Sequence, residues 1–200
     1  MNLTYDTIKD AVLAKDYKWF ENDSYNLNIV GVRNSETSDE VTNKFDDKIT
    51  LSYLIGNDRH FHAFDCTTDP GKHWVENVMN DKGVAILVPG QYRGSHKIRL
   101  HQGRYEALGQ QKPVKVYRDN NLDDCYDFDE SSIQEGLFGI NIHRATKYAG
   151  KKSSQIDRWS AGCQVIAAYN DFMEFMQICN NAKDIWGNSF TYTLIESKDL

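Results

Sequence analysis

The chain has little proline, no paired-cysteine motif and no long apolar run, and each absence removes a class of protein. Three prolines (Pro70, Pro89 and Pro113) in 200 residues leave turn-making to glycine and to Asn/Asp clusters. No Pro-, Gly- or Ser-rich linker and no internal repeat divides the sequence. The four cysteines, Cys66, Cys125, Cys163 and Cys179, are scattered without a C-x-x-C pair, which argues against a disulfide framework and points to small buried hydrophobes. No stretch approaches the roughly 20 apolar residues of a membrane span. The opening MNLTYDTIKDAVLAKDYKWF lacks a basic segment followed by an apolar one, so synthesis in the cytoplasm without a signal peptide is expected. Excess positive charge is also missing. The net charge of −6 argues against a nonspecific nucleic-acid binder, which needs a basic surface to displace counterions.

What is present fits one domain over residues 1–200, with an N-terminal helical segment in residues 1–25. Residues 6–20 place Ile8, Ala11 and Val12 at helical spacing, with Asp6 read as the N-cap. Strand-like runs follow at Asn28–Arg33, in a hairpin of Lys48–Ile55 and Arg59–Asp65 around Gly56-Asn57-Asp58, and at Val84–Pro89. Further strands are expected at Ile98–Leu100, Tyr105–Leu108, Val114–Tyr117, Leu137–His143 and Phe190–Glu196. Residues 167–182 carry Phe172, Phe175, Met176 and Cys179 at helical spacing. Many short strands with a helix near each end make an α+β domain that is mostly β.

The most informative stretch is 140–166, INIHRATKYAGKKSSQIDRWSAGCQVI. A strand delivers His143 to its end, a polar loop follows, and Ser160-Ala161-Gly162-Cys163 leads into an apolar segment and a helix. Thiol catalysis needs a thiolate, and an imidazole nearby can take the thiol proton and later return it to a leaving group. Gly162, lacking Cβ, lets backbone approach a reacting carbonyl, and amides near Cys163 could face a developing oxyanion. A helix N-terminus aimed at Cys163 would favour the thiolate and depress its pKa.

These residues resemble the L,D-transpeptidase (YkuD-type) catalytic domain. That family carries a His, a loop of about fifteen residues, then Ser/Thr-His-Gly-Cys. Here His143 and Arg144 precede residues 145–159 and then Ser160-Ala161-Gly162-Cys163. The resemblance implies a β-sandwich with an N-terminal helix and a helix after the nucleophile. It implies that Cys163 attacks a carbonyl in a peptidoglycan stem peptide, that His143 is the base, that the Arg144 carbonyl orients the imidazole, and that Ser160 and Gly162 shape the nucleophile loop. Ala161 stands in place of the family's second His, and Val165 where the family often has Asn or Arg. Hydrolysis, by an L,D-carboxypeptidase or endopeptidase, is therefore expected over crosslinking. Arg144 or Arg158 is a candidate for the substrate carboxylate. Trp159, Arg93, Tyr92 and Trp74 are candidates for a groove wall. The chemistry requires no cofactor.

A phage-type lysin released by lysis fits a wall enzyme that lacks a signal. A second reading is a non-catalytic cell-wall-binding or virion-associated module that retains the fold.

Two further patterns suggest metals. Asp119, Asn121, Asp123, Asp127 and Glu130 fall at positions 1, 3, 5, 9 and 12 of a calcium-loop spacing, although Asp124 stands where that loop has Gly. A structural calcium is the expectation there. His60 and His62 share a strand face and, with His101 or His96, make a zinc candidate.

Overall fold

A computed structural model describes residues 2–200. Alternation over residues 47–67 builds the long hairpin as expected, with β2 (Asp47–Ile55) and β3 (Asp58–Thr67) antiparallel from Asp47 opposite Cys66 to Ile55 opposite Asp58. β1 (Asn28–Arg33) pairs with β2 on one side and, in parallel, with β11 (Phe190–Glu196) on the other. The remaining members are β5 (Gly90–His101), β6 (Tyr105–Gln110), β9 (Ile142–Arg144) and β10 (Gln164–Ile166). They continue β11–β5–β6–β9–β10–β3, so eight strands close on themselves. The fold is mostly β, but the pairings describe a closed barrel in place of the two facing sheets expected of a sandwich. A separate three-stranded sheet joins β4 (Val84–Leu87), β7 (Val114–Asp119) and β8 (Gln134–Gly136).

Three helices cover the sheets. In α1 (Tyr5–Ala14) the cap is Thr4, whose side chain accepts from the Thr7 amide, so the helix starts ahead of Asp6. It ends at Ala14 rather than Phe20, and Asp16 turns the chain at φ 58°. Its Ile8, Ala11 and Val12 pack on Val30, Val32 and Ile195 outside the barrel. The short α2 (Lys72–Glu76) had no sequence signal. Helix α3 (Tyr169–Trp186) buries Phe172, Phe175, Met176 and Cys179 against the main core, where Phe175 meets Phe64 edge-to-face at 6.3 Å.

Leu137–His143 departs from the expected strand. Only Ile142 and His143 are in β9, and Gly139 bends the preceding chain at φ 77°. The N–H groups of Phe138, Gly139 and Ile140 all donate to Gln110 Oε1, at 3.1, 2.9 and 3.0 Å. One buried side chain thus satisfies amides that a neighbouring strand would otherwise take.

Barrel and small sheet are joined by a buried ion pair. Arg33 Nε lies 2.9 Å from Asp69 Oδ1, and Arg33 Nη2 donates to the Leu87 carbonyl of β4 at 3.0 Å. Asp47 accepts from the amides of Asn34 and Thr68 beside it. Burial pushes both carboxyls above the usual range, and the guanidinium opposes that shift. Removing the cation strands two buried acids. Arg33→Ala is expected to lose about 3–5 kcal/mol of unfolding free energy, read as a shifted midpoint in urea denaturation. A loss under about 1 kcal/mol would show that the pair is not a joint.

Candidate active site

β9 and β10 are parallel neighbours, with Ile142 opposite Gln164 and His143 opposite Val165. Parallel strands cannot be joined by a tight turn, so residues 145–163 form the crossover. Alternation puts Cys163, two residues before Val165, on the His143 side of the sheet, roughly 8 Å away between Cα atoms by strand geometry. Both side chains line one cleft of about 860 Å³.

His143 is buried, and its Nδ1 lies 3.0 Å from the Arg144 carbonyl. A carbonyl only accepts, so Nδ1 carries the hydrogen and Nε2 keeps its lone pair. The carbonyl thus holds the ring in one orientation. The ring stacks on His101 at 4.3 Å between centroids and 22° between planes. Burial, with the His101 charge second, lowers the His143 pKa to about 4.

Cys163 is half-buried, and its thiol donates to the Gly139 carbonyl at 3.2 Å. Burial pushes its pKa up to about 11, against a smaller opposing effect of the Asn141 amide. This overturns the expected thiolate. β10 and two more residues separate Cys163 from Tyr169 at the start of α3, roughly 20 Å of extended chain, so the helix dipole does not act on the sulfur from the adjoining turn. At rest the thiol and the imidazole are both neutral and line the same cleft.

The Ser160–Cys163 loop is braced from below. Ser160 is fully buried; its hydroxyl donates to the Cys163 carbonyl at 2.8 Å and accepts from the Gly162 amide at 3.1 Å. Gly162 sits at φ 122°, and a Cβ there would stand 2.1 Å from the Ala85 carbonyl of β4. Only glycine fits that conformation and that gap. The Ser160 carbonyl accepts from Gly71 at 2.8 Å, and the Arg158 carbonyl from the Trp74 indole at 3.2 Å.

Arg144, Arg158, Trp159 and Trp74 all line the cleft. Arg93 does not. It stacks over Phe20, 5.0 Å from the ring centroid, and lines a different pocket with Lys112 and Trp186. Tyr92 also lies outside the cleft lining, its hydroxyl donating to the Val88 carbonyl at 2.6 Å. Sequence reasoning placed His101 only as a ligand of a zinc hydrolase with His60 and His62, and gave no place to Arg104 and Tyr105. All three reach the cleft because the β5–β6 hairpin pairs with β9, and no one-dimensional spacing signals that.

The zinc candidates are dispersed, whereas the calcium-loop residues share one segment: Asp119 accepts from the backbone of Asp127 and Asn121 and lies near the charges of Asp127 and Asp123. Asp119 is buried at the end of β7, where burial pushes its carboxyl up to about 6. Asn121 and Asp123 bond to each other and to loop amides at the surface, and Glu130 is exposed at the start of a 3₁₀ turn. His60 and His62 both stack on Tyr53, and His62 faces Glu174 at 3.0 Å. His96 is enclosed, with Nε2 on the Ile140 carbonyl. Among the described residues no three His, Cys, Asp or Glu side chains converge as a metal site.

Comparison of the chain with protein-family models, curated proteins and solved structures gave no match.

Alkylation by iodoacetamide reads the thiol directly. In a Cys125→Ser background, which removes the exposed thiol, Cys66 and Cys179 stay enclosed. Labelling of Cys163 is then expected to be slow at pH 7 and to rise about tenfold per pH unit toward pH 11. A plateau already reached below pH 7 would show a preformed thiolate and contradict the neutral pair. Gly162→Ala is expected to lower the melting temperature, whereas Cys163→Ala leaves it near wild type; equal melting for all three would refute the Ala85 contact.

Proposed function

We propose that this protein is a cysteine-dependent hydrolase of peptidoglycan stem peptides, acting as an L,D-carboxypeptidase or endopeptidase through a Cys163 acyl-enzyme. The observation that carries the reading is His143 fixed by the Arg144 carbonyl in the tautomer with Nε2 unprotonated, in the cleft that also holds Cys163. In the first step Sγ bonds to the substrate carbonyl carbon while the thiol proton passes to Nε2. Collapse breaks the C–N bond, and the proton leaves with the amine. Water then attacks the thioester, again through His143, releasing a carboxylic acid and restoring the thiol. Among the described residues the Cys163 N–H has no hydrogen-bond acceptor, which leaves it available to the tetrahedral oxygen.

A neutral pair suits base catalysis that begins only when substrate displaces the thiol from Gly139. Ala161 in place of a second loop histidine favours water over an amine as acceptor. The reaction uses no cofactor, and a calcium ion on the 119–130 loop would be structural. Release by lysis, as for a phage-type lysin, would bring the protein to the wall.

The raised Cys163 pKa favours a second reading, a non-catalytic wall-binding or virion-associated module retaining the fold. Digestion of purified Gram-negative peptidoglycan, with muropeptides read by mass spectrometry, separates the two. New products are expected from wild type and none from Cys163→Ala, with His143→Ala slowed at least about 100-fold. Bound sacculi without products in any of the three would select the module. Because His143 must be unprotonated to act, kcat/KM is expected to hold down to pH 5 and fall as pH drops through about 4. An acid limb centred at 6.5 or above would contradict the buried base.

A further inference from the structure

The chain is acidic overall, with a net charge of −6, yet the walls around Cys163 are positive. Arg104, Arg144, Lys147 and Arg158 line the 860 Å³ cleft. Arg99 lines an adjoining cavity of about 420 Å³ that shares His101, Gln102 and Cys163 with it. Among the described residues no aspartate or glutamate lines either cavity. Among the described residues, none of these five cations has a carboxylate within ion-pair distance. Some cations elsewhere are matched, among them Lys9 by Glu21, Arg59 by Asp6, and Lys48 and Lys152 by Asp65. A concave surface of one sign, in a protein of the other sign, concentrates ligands of opposite charge.

Arg144 is the most confined of the five. Its guanidinium carbon lies 4.1 Å from the Tyr105 ring centroid and 5.3 Å from that of Tyr169. Nη1 donates to the Thr146 carbonyl at 3.4 Å, and the remaining donors of the planar guanidinium can meet a carboxylate in two parallel hydrogen bonds. The residue stands where the cleft meets a second pocket of about 560 Å³, walled by Phe172, Met173 and Met176 of α3. The one carboxylate in that pocket, Glu106, accepts from Asn180 at 3.4 Å.

We propose that the Cys163 cleft selects acyl substrates bearing free carboxylates, and that Arg144 holds the carboxylate nearest the scissile bond. The inference rests on reading the cleft as an acyl-transfer site, but binding tests it without turnover, so the two fail separately. The probes are the tripeptide L-alanyl-γ-D-glutamyl-meso-diaminopimelate and the same tripeptide with its carboxylates amidated. Each is titrated calorimetrically into Cys163→Ala. The free acid is expected to bind at least about tenfold tighter than the amide, with the advantage shrinking between about 50 mM and 500 mM NaCl. Adding Arg144→Gln should cost the acid at least about tenfold and leave the amide unchanged, while Arg144→Lys recovers part of the loss with a wild-type melting curve. Equal binding of acid and amide overturns the proposal. So does an acid affinity unmoved by Arg144→Gln, or no binding of the acid at millimolar concentration.

Discussion

The parallel pairing of β9 with β10 is the constraint on which the site depends. Two short strands, each three residues long, lie side by side at the middle of the barrel wall. Because they run the same way, the chain must leave at Arg144, cross, and return at Cys163. That crossover is also what separates His143 from Cys163 in the sequence. The same pairing supplies the Arg144 carbonyl that fixes the imidazole and the Asn141 carbonyl that receives the Gln164 amide. Loss of that register would disperse the two reactive side chains together.

Burial and charge act against each other around this pairing. Enclosure holds His143 and Cys163 in their neutral forms by penalising charge on either. The surrounding arginines and lysine stand further out, toward solvent, where their own charge is hydrated. A neutral thiol is less open to adventitious oxidation than a thiolate.

Supports for the loop come from outside the barrel. Ala85 of the small sheet closes on Gly162, Gly71 and Trp74 hold the carbonyls of Ser160 and Arg158, and Arg33 ties the small sheet to β1. The three-stranded sheet is thus the floor of the Ser160–Cys163 loop rather than an appendage. Its packing explains why Ser160 is fully buried: the hydroxyl serves the loop backbone, one bond on each side of the cysteine.

The sequence by itself determined the elements with strong local signals. The hairpin around Gly56-Asn57, β1, β11 and the amphipathic α3 were legible because alternation, turn chemistry and helical spacing act over a few residues. His143 and the Ser160–Cys163 loop were legible as candidates for the same reason, as residue types at a spacing that thiol chemistry can use. Whether the strands close into a barrel was not, since closure depends on long-range register. Leu137–Ile140 misled because Gln110, remote in sequence, takes over its amides. His101 and Arg104 entered the site, and Arg93 left it, by the placement of β5 and β6 alone. The thiol's protonation was likewise decided by enclosure and by the distance to α3, quantities that exist only once the chain is folded.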